Sequence, residues 1–325
     1  MDAQVIIVGA GVSGLVAGQQ LYRKNIPTIL LDKGSSVGGR MATRRVGENG
    51  VADHGAQFFT TRTPEFQEQV EQWMTLGLVS VWGHGWSDGS VKRTANDGHP
   101  RYINSLGMNT LAQMMAQGLD VRVNIEVSVV EWNGKNWVVS YGDGAVLTAA
   151  HLILTAPVPQ SLNLLDKGHV ELSDSDRSAL EKIEYGPCLC GIYTVNGEVN
   201  LPEPGAVQDF TKTVYWIADN KRKGISKERV ITMHAEARFS KQHYDDPETD
   251  ALKVFDEALA PYLGSGATIT ERQLKKWRYS IPIITYPHDF LKAEGLPLTF
   301  VGDAFGGRGR VEGAYISGLK AGEAL

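Results

Sequence analysis

The residues best suited to chemistry stand near the two ends of the sequence. Gly9-Ala10-Gly11-Val12-Ser13-Gly14 is a G-x-G-x-x-G set directly after the apolar run Val5 to Val8 and ahead of a stretch with helical spacing, Leu15 to Lys24. In that setting one glycine permits a tight turn, the next lets backbone approach a pyrophosphate, and the third lets strand and helix pack closely. The phosphates then rest on the helix N-terminus. Asp32 ends the next apolar run, Thr28 to Leu31, where a carboxylate can accept hydrogen bonds from adenosine ribose hydroxyls. Gly9, Gly11, Gly14 and Asp32 together predict a dinucleotide site, but they do not separate NAD from FAD.

Three further segments point to FAD. Gly38-Gly39-Arg40 sets a flexible backbone beside a guanidinium that can reach a pyrophosphate or a flavin. Asp53-His54-Gly55-Ala56-Gln57-Phe58-Phe59 reads as another close approach of backbone. Near the far end, Thr299 to Asp303 presents a carboxylate at a strand end, suited to ribityl hydroxyls. Gly306 to Val311 then leads into a helix whose N-terminus can stabilise negative charge on a reduced flavin. No cysteine lies in this last segment, so a thioether link is not expected and the FAD is expected to be non-covalent.

These residues need a scaffold, and the pattern supplies one. Residues 5–31 read as strand, turn, helix and strand. Ser105 to Gly118 reads as an amphipathic helix with Met108, Leu111, Met114 and Met115 inward. Three strand-like runs follow, Val121 to Trp132, Trp137 to Tyr141 and Ala145 to Thr148, parted by turn signals, and His151 to Thr155 returns to a buried strand. From Val158 the character changes to strands around 188–195, 214–218 and 230–235, with helical patches at 175–183 and 250–263. Leu298 to Val301 and Val311 to Ala324 then resume the first pattern. The expectation is an α/β flavoprotein of the two-dinucleotide-binding-domain type, with a Rossmann-type FAD domain and an α+β substrate domain. The FAD domain is discontinuous, at 1–75, 100–157 and 285–325, and the substrate domain takes 76–99 and 158–284.

Composition narrows the function classes. The 325 residues are 42% hydrophobic and 21% charged with a formal charge of −5, which offers no broad basic field for nucleic acid or a membrane surface. The opening apolar run lacks a basic flank and is broken by glycine, so a cytoplasmic protein is expected. Cys188 and Cys190 are the only cysteines, too few for a disulfide framework. Their spacing lacks a second ligand pair, so no metal site is expected and both read as buried strand residues.

The segments GAGVSG, GGRMATRR, DHGAQFFT, TAPVPQ, DNKRK, KKWRYS and VGDAFGGRGRVEGAYISGL together resemble the renalase family, within the wider amine-oxidase-like flavoproteins, over essentially the whole chain. The resemblance implies a p-hydroxybenzoate hydroxylase-like fold and non-covalent FAD. It also implies oxidation of the 2- and 6-dihydro isomers of NAD(P)H to NAD(P)+, with O2 reduced to H2O2. Carried over residue by residue, it implies FAD contacts at Gly11, Val12, Ser13, Asp32, Lys33, Arg40, Ala56, Gln57, Val127, Asp303, Val311 and Glu312. Gly39 and Arg310 lie in the same motifs. Val127 is equally readable as plain core. His234 and Trp277 match positions around the isoalloxazine ring; Lys221, Arg222 and Lys223 read either as contacts to the phosphates of a dinucleotide substrate or as a solvated turn, and Asn220, in the same motif and a substrate-side candidate with Lys221, can serve either way. Arg62 and Tyr315 complete the substrate-side candidates. Two other readings remain open at this point: a flavin amine oxidase or desaturase-like enzyme, and a flavin-carrying binding protein without turnover.

Overall fold

The computed structural model describes residues 1–88 and 96–325, so part of the expected segment 76–99 lies outside the described residues. Its first half runs β1 (Ala3–Val8), α1 (Val12–Arg23), β2 (Thr28–Leu31), β3 (Thr43–Val46), β4 (Gly50–Asp53), α2 (Pro64–Thr75), β5 (Ser80–Gly83), β6 (Arg101–Ile103), α3 (Met108–Met115), β7 (Asp120–Arg122), β8 (Val127–Trp132), β9 (Trp137–Tyr141) and β10 (Ala145–Leu154). The second half continues with α4 (Val158–Lys167), α5 (Asp174–Glu181), β11 (Glu184–Asn196), β12 (Ala206–Gln208), β13 (Val214–Asp219), β14 (Val230–Ala235), α6 (Ala237–Gln242), α7 (Glu248–Leu259), β15 (Thr268–Ile284), β16 (Leu291–Lys292), β17 (Leu298–Phe300) and α8 (Arg310–Ala324).

Two sheets carry the architecture. The first has eight strands along the path β16-β17-β10-β1-β2-β7, with β8 and β9 paired beside β10. β1 pairs in parallel with both β2 and β10, and β10 in parallel with β17. A central parallel strand is covered on both faces, which explains the nearly unbroken apolar sequence of β1. β17 and α8, from the C-terminal segment, complete this sheet and cross α1. A Cβ on Gly318 would come within 2.2 Å of the Ser13 carbonyl oxygen, so the two helices approach backbone to backbone.

The second sheet is antiparallel, in the order β12-β13-β14-β11-β15. One face packs on α7, with Leu189, Tyr193, Met233 and Phe255 in its core. The other face carries Cys190, Ile192 and Trp277 and packs on Val46 and Ala52 of the β3-β4 hairpin. The site lies along that contact between the two halves.

Several expected elements shift. The run 121–132 is two strands: β7 pairs in parallel with β2, whereas β8 pairs with β9. The breaks expected between 141 and 155 reduce to one, because Ala145 to Leu154 is a single ten-residue strand. The helix at 105–118 is confined to α3, and Met114 is exposed. α4 and α5 pack in the core of the first sheet through Val158, Leu162, Leu165 and Leu180, although the expected boundary at Val158 put them in the second unit. The longest strand, β15, has no counterpart among the expected elements, because its sequence TITERQLKKWRYSIPII is mostly polar. It is an edge strand, where charge discourages pairing with other chains.

Candidate active site

The nucleotide end is built from backbone. Gly9 has φ +109°, outside the range a side chain tolerates easily, and a Cβ on Gly14 would sit 2.1 Å from the Gly9 carbonyl oxygen. A Cβ on Gly11 would meet nothing within 4 Å, so the space there is left for a ligand. Val12 and Ser13 are buried in the first turn of α1. The Asp32 carboxylate braces the turn by accepting from the Ala10 N–H at 2.7 Å and the Gly34 N–H at 2.7 Å. Lys33 beside it is exposed. The loop before β8 docks here as well: Ile125 N–H donates to the Asp32 carbonyl and Asn124 N–H to that of Gly34. Val127 itself is buried in the core of the first sheet.

From the glycine turn a continuous path leads to the C-terminal segment. Gly38 N–H donates to the Ala10 carbonyl, and the Cβ position of Gly39 lies 3.6 Å from Gly11 Cα. Arg40 forms a bidentate pair with Asp303, at 2.8 and 2.7 Å, and its carbonyl accepts from the Ala56 N–H at 2.8 Å. Arg40 and Asp303, expected to meet the cofactor separately, are thus joined to each other. Each carboxylate oxygen keeps a lone pair for a further donor. α8 starts next to them, with Arg310 at φ +64° and Val311 buried. Its first-turn N–H groups and dipole favour a negatively charged partner.

Other expected residues serve the fold instead. Glu312 accepts from the N–H groups of Arg62 and Thr63 and from the Thr63 hydroxyl, at 2.6 to 2.9 Å, which holds the start of α2. Its side chain is taken up there, which leaves its backbone N–H, in the first turn of α8, for the expected contact with FAD. Arg62 meets Glu312 by its backbone. Tyr315 is corrected: it packs on Phe66 and Trp73 between α8 and α2, and its hydroxyl donates to Gln69, so it is core and not substrate site. Asn220 is fully buried and bonds to Val230, Thr232 and the Asp53 N–H, so it cannot meet substrate phosphates. Arg222 bonds to Leu201 and Glu203, and Lys221 alone of the cluster is fully exposed.

Lys223 is the largest departure. Its ammonium has no solvent exposure and donates to Asp53 Oδ2 at 2.5 Å and to the Gln57 carbonyl at 2.6 Å. Asp53 Oδ1 accepts from Thr43 and from the Met108 N–H, and the Asp53 carbonyl accepts from Gln57 Nε2 and Thr232. This network pins the loop that carries His54, Ala56 and Gln57 to the second sheet. The sequence signal was present in DNKRK, but not the side chain's direction.

On the second sheet, His234 pairs in register with Cys190 and Trp216, and Cys188 pairs with Trp277, which puts these residues on one face. The structure therefore brings His234 and Trp277 together. It adds two residues that were not singled out. The His54 ring stacks on Trp277 with centroids 5.3 Å apart, and Trp277 Nε1 donates to the His54 carbonyl at 2.9 Å. The Tyr215 ring lies 6.4 Å from His234. His54 lies inside the DHGAQFFT segment beside Gly55, and residue order does not mark its ring as part of the second sheet's face. Burial, reinforced by Lys275 and Arg44, holds the His54 imidazole down at about 4. Burial likewise holds His234 at about 4; a hydrogen bond to the His54 backbone opposes this, and the charges of His54 and Lys223 add to the lowering. Both are neutral at pH 7. Burial pushes the Cys188 thiol up to about 12 and Cys190 well above its ordinary value, so neither is a nucleophile.

Five buried polar atoms along this seam have no partner: His54 Nδ1, Gln57 Oε1, Trp86 Nε1, Trp216 Nε1 and His234 Nε2. Such atoms are rare in folded chains and cost free energy unless a ligand or water meets them. The 54–57 segment is tied to the path from Asp32 past Gly11 and Gly39 to Arg40 and Asp303 by the Ala56 N–H on the Arg40 carbonyl. An extended dinucleotide with a polar ring at its far end fits that arrangement. Among the described residues no cluster of His, Cys, Asp or Glu could hold a metal ion, and no helix is long and apolar enough to cross a membrane.

Comparison with known proteins agrees with this geometry. Residues 88–325 match the model of the flavin-containing amine oxidoreductases, and residues 7–74 match that of an NAD(P)-binding Rossmann-like domain. The chain belongs to the flavin-containing amine oxidoreductase family, and is a flavin-dependent oxidoreductase. Within that family it is renalase-like, as its motifs implied: it is 25% identical to renalase of Mus musculus over 298 residues, covering 86% of this chain and 85% of the relative. Solved structures show the same fold. Cyclohexylamine oxidase from Brevibacterium oxydans superposes with a TM-score of 0.74 at 13% identity, covering 100% of this chain and 98% of the other. Putrescine oxidase bound to putrescine gives 0.71 at 15% identity, covering 100% and 99%.

Proposed function

We propose that this chain is an FAD-dependent oxidase of the 2- and 6-dihydro isomers of NAD(P)H, which yields NAD(P)+ and reduces O2 to H2O2. FAD is held without a covalent bond, in a two-part arrangement of the p-hydroxybenzoate hydroxylase kind, and the protein works in the cytoplasm. The single observation that carries this reading is the character of the sheet face. It offers Trp277 as an aromatic wall, with His54 and His234 both neutral, to a flat, uncharged ring.

Asp53, the carboxylate that acts on His54, is bonded to Lys223 and so is not free to pair with a protonated amine. The flavin, when bound, accepts hydride from the substrate and passes the electron pair to O2. The protein's part is placement. Gly11, Gly39 and the start of α8 would receive the cofactor's phosphates and ring, Asp32 its ribose, and the Arg40–Asp303 pair its middle. His234 and Trp277 orient the donor carbon, and no side chain is needed as acid or base.

The test is anaerobic flavin bleaching. The protein as purified should be yellow and release intact FAD on denaturation. The dihydro isomers should bleach it much faster than monoamines or ordinary 4-dihydro NADH. Bleaching by an amine at an equal or higher rate would replace this reading with that of an amine oxidase, and no bleaching by any candidate would favour a flavin carrier.

A further inference from the structure

His54 belongs to the first half of the chain, yet its ring is part of the second sheet's face. Its backbone is fixed at both ends: the N–H donates to the Ala42 carbonyl at 3.2 Å, and the carbonyl accepts from Trp277 Nε1. The preceding residue, Asp53, is held by Thr43, Met108, Thr232 and Lys223. The ring therefore has little freedom, and it lies 25° from parallel to the Trp277 indole. Within the fold it makes no hydrogen bond that would account for an imidazole at this place, because Nδ1 is buried without a partner. An aliphatic side chain would stack on Trp277 as well.

His234, whose ring bonds to the His54 backbone, leaves its Nε2 buried without a partner. A neutral imidazole has one donor and one acceptor nitrogen, and its tautomer adapts to the group it meets. Two such rings complement a carboxamide, which offers an acceptor oxygen and a donor NH2 on one planar group. An ammonium, which only donates, would use them as acceptors alone. The fixed charges near His54 are Lys275, Arg44 and Asp53, and Asp53 is neutralised by Lys223.

We propose that His54 is a further substrate-binding residue, which together with His234 hydrogen-bonds the carboxamide of the nicotinamide ring and holds the ring against Trp277. This rests on the dihydronicotinamide reading given above. His54 then sets affinity and ring orientation, while the cofactor is held elsewhere, by the glycine turn and the Arg40–Asp303 pair.

The experiment compares the wild-type holoenzyme with His54→Leu and His54→Gln. Flavin content and thermal midpoint are measured first, then anaerobic flavin reduction against concentration of 6-dihydro-NAD, then calorimetric binding of NAD+. His54→Leu should keep its flavin and its midpoint, and should need about tenfold or more substrate to saturate, the range of losing one buried hydrogen bond. NAD+ binding should weaken by the same factor, and His54→Gln should recover part of it. With a 3-acetylpyridine analogue of the dinucleotide, which has no NH2, the wild type and His54→Leu should differ less. Unchanged saturation and NAD+ binding in His54→Leu would overturn the proposal and leave the substrate reading intact. So would loss of flavin in both variants, which would make His54 structural. If the wild type itself is not reduced by any dihydronicotinamide isomer, the substrate reading fails and the role of His54 fails with it.

Discussion

At the end of β1 the protein offers a ligand backbone N–H groups and empty space: Gly11 has nothing within 4 Å of its Cβ position, and Asp32 braces the turn from behind. On the face of the second sheet it offers side chains from four separate segments, His54, Tyr215, His234 and Trp277, packed within one seam. The first region is made by about thirty consecutive residues, the second by residues up to 223 positions apart, the separation of His54 and Trp277. Local backbone geometry is enough to receive a phosphate chain that is the same in every dinucleotide. Selecting one ring over another needs side-chain atoms at defined positions, and these come only from assembling the two halves.

That contrast can be broken most sharply at the glycines. Gly14→Val drives a Cβ to 2.1 Å from the Gly9 carbonyl and should prevent folding, whereas Gly11→Val has room in the fold and should give folded protein with almost no flavin. Circular dichroism and flavin absorbance of the two variants check this. Normal flavin content in Gly11→Val would remove the glycine turn from the cofactor site.

A smaller effect is expected where the two regions are clasped together. Lys223→Met leaves the Asp53 carboxylate buried without its cation and should cost about 3–5 kcal/mol in urea unfolding. Adding Asp53→Asn should return part of the loss. A midpoint unchanged by Lys223→Met would mean the pair does not join the halves.

His234→Ala and Trp277→Ala should spare the first region and damage the second. Flavin content should stay near normal, because neither residue belongs to the glycine turn or the Arg40–Asp303 pair. Stopped-flow reduction should slow by on the order of a hundredfold, as expected for misplacing a donor by about 1 Å, with reoxidation by O2 changed less. Wild-type reduction rates in both variants would make the seam structural.

A last prediction concerns pH. Burial holds His54, His234 and His151 at about 4 in the folded chain, below the ordinary 6.5; Lys275 and Arg44 add to this at His54, the charges of His54 and Lys223 at His234, and Lys292 at His151, while Asp53 opposes it at His54 and a hydrogen bond to the His54 backbone at His234. Between those values the unfolded chain binds protons that the folded chain does not. Stability from these groups is full above about pH 6.5 and falls as pH drops toward 4, by up to about 1.4 kcal/mol per pH unit for each. Urea midpoints at pH 7.5, 6 and 5 should decline, and less steeply in His151→Gln. An equal slope in that variant would assign the decline to other groups.

The cofactor end was legible in the amino-acid sequence because its constraints are local. A glycine at φ +109°, a glycine without room for a Cβ and an acid at the next strand end lie within one strand, turn, helix and strand, and the pattern shows them directly. The same locality made the C-terminal strand and helix readable, and with them the return of the chain to the first sheet. Side-chain direction is not local. Whether Lys223 points to solvent or into Asp53, whether Tyr315 faces a ligand or Phe66, and whether Glu312 meets a cofactor or caps α2 depend on elements far away in sequence. The strand β15 was hidden for the same reason: an edge position tolerates charge, so its polar sequence carries no alternation to read. Only packing of the second sheet on the 53–59 loop placed His54 on Trp277, because a stacked pair exists once both rings have lost their water, and residue order alone does not say which surfaces will.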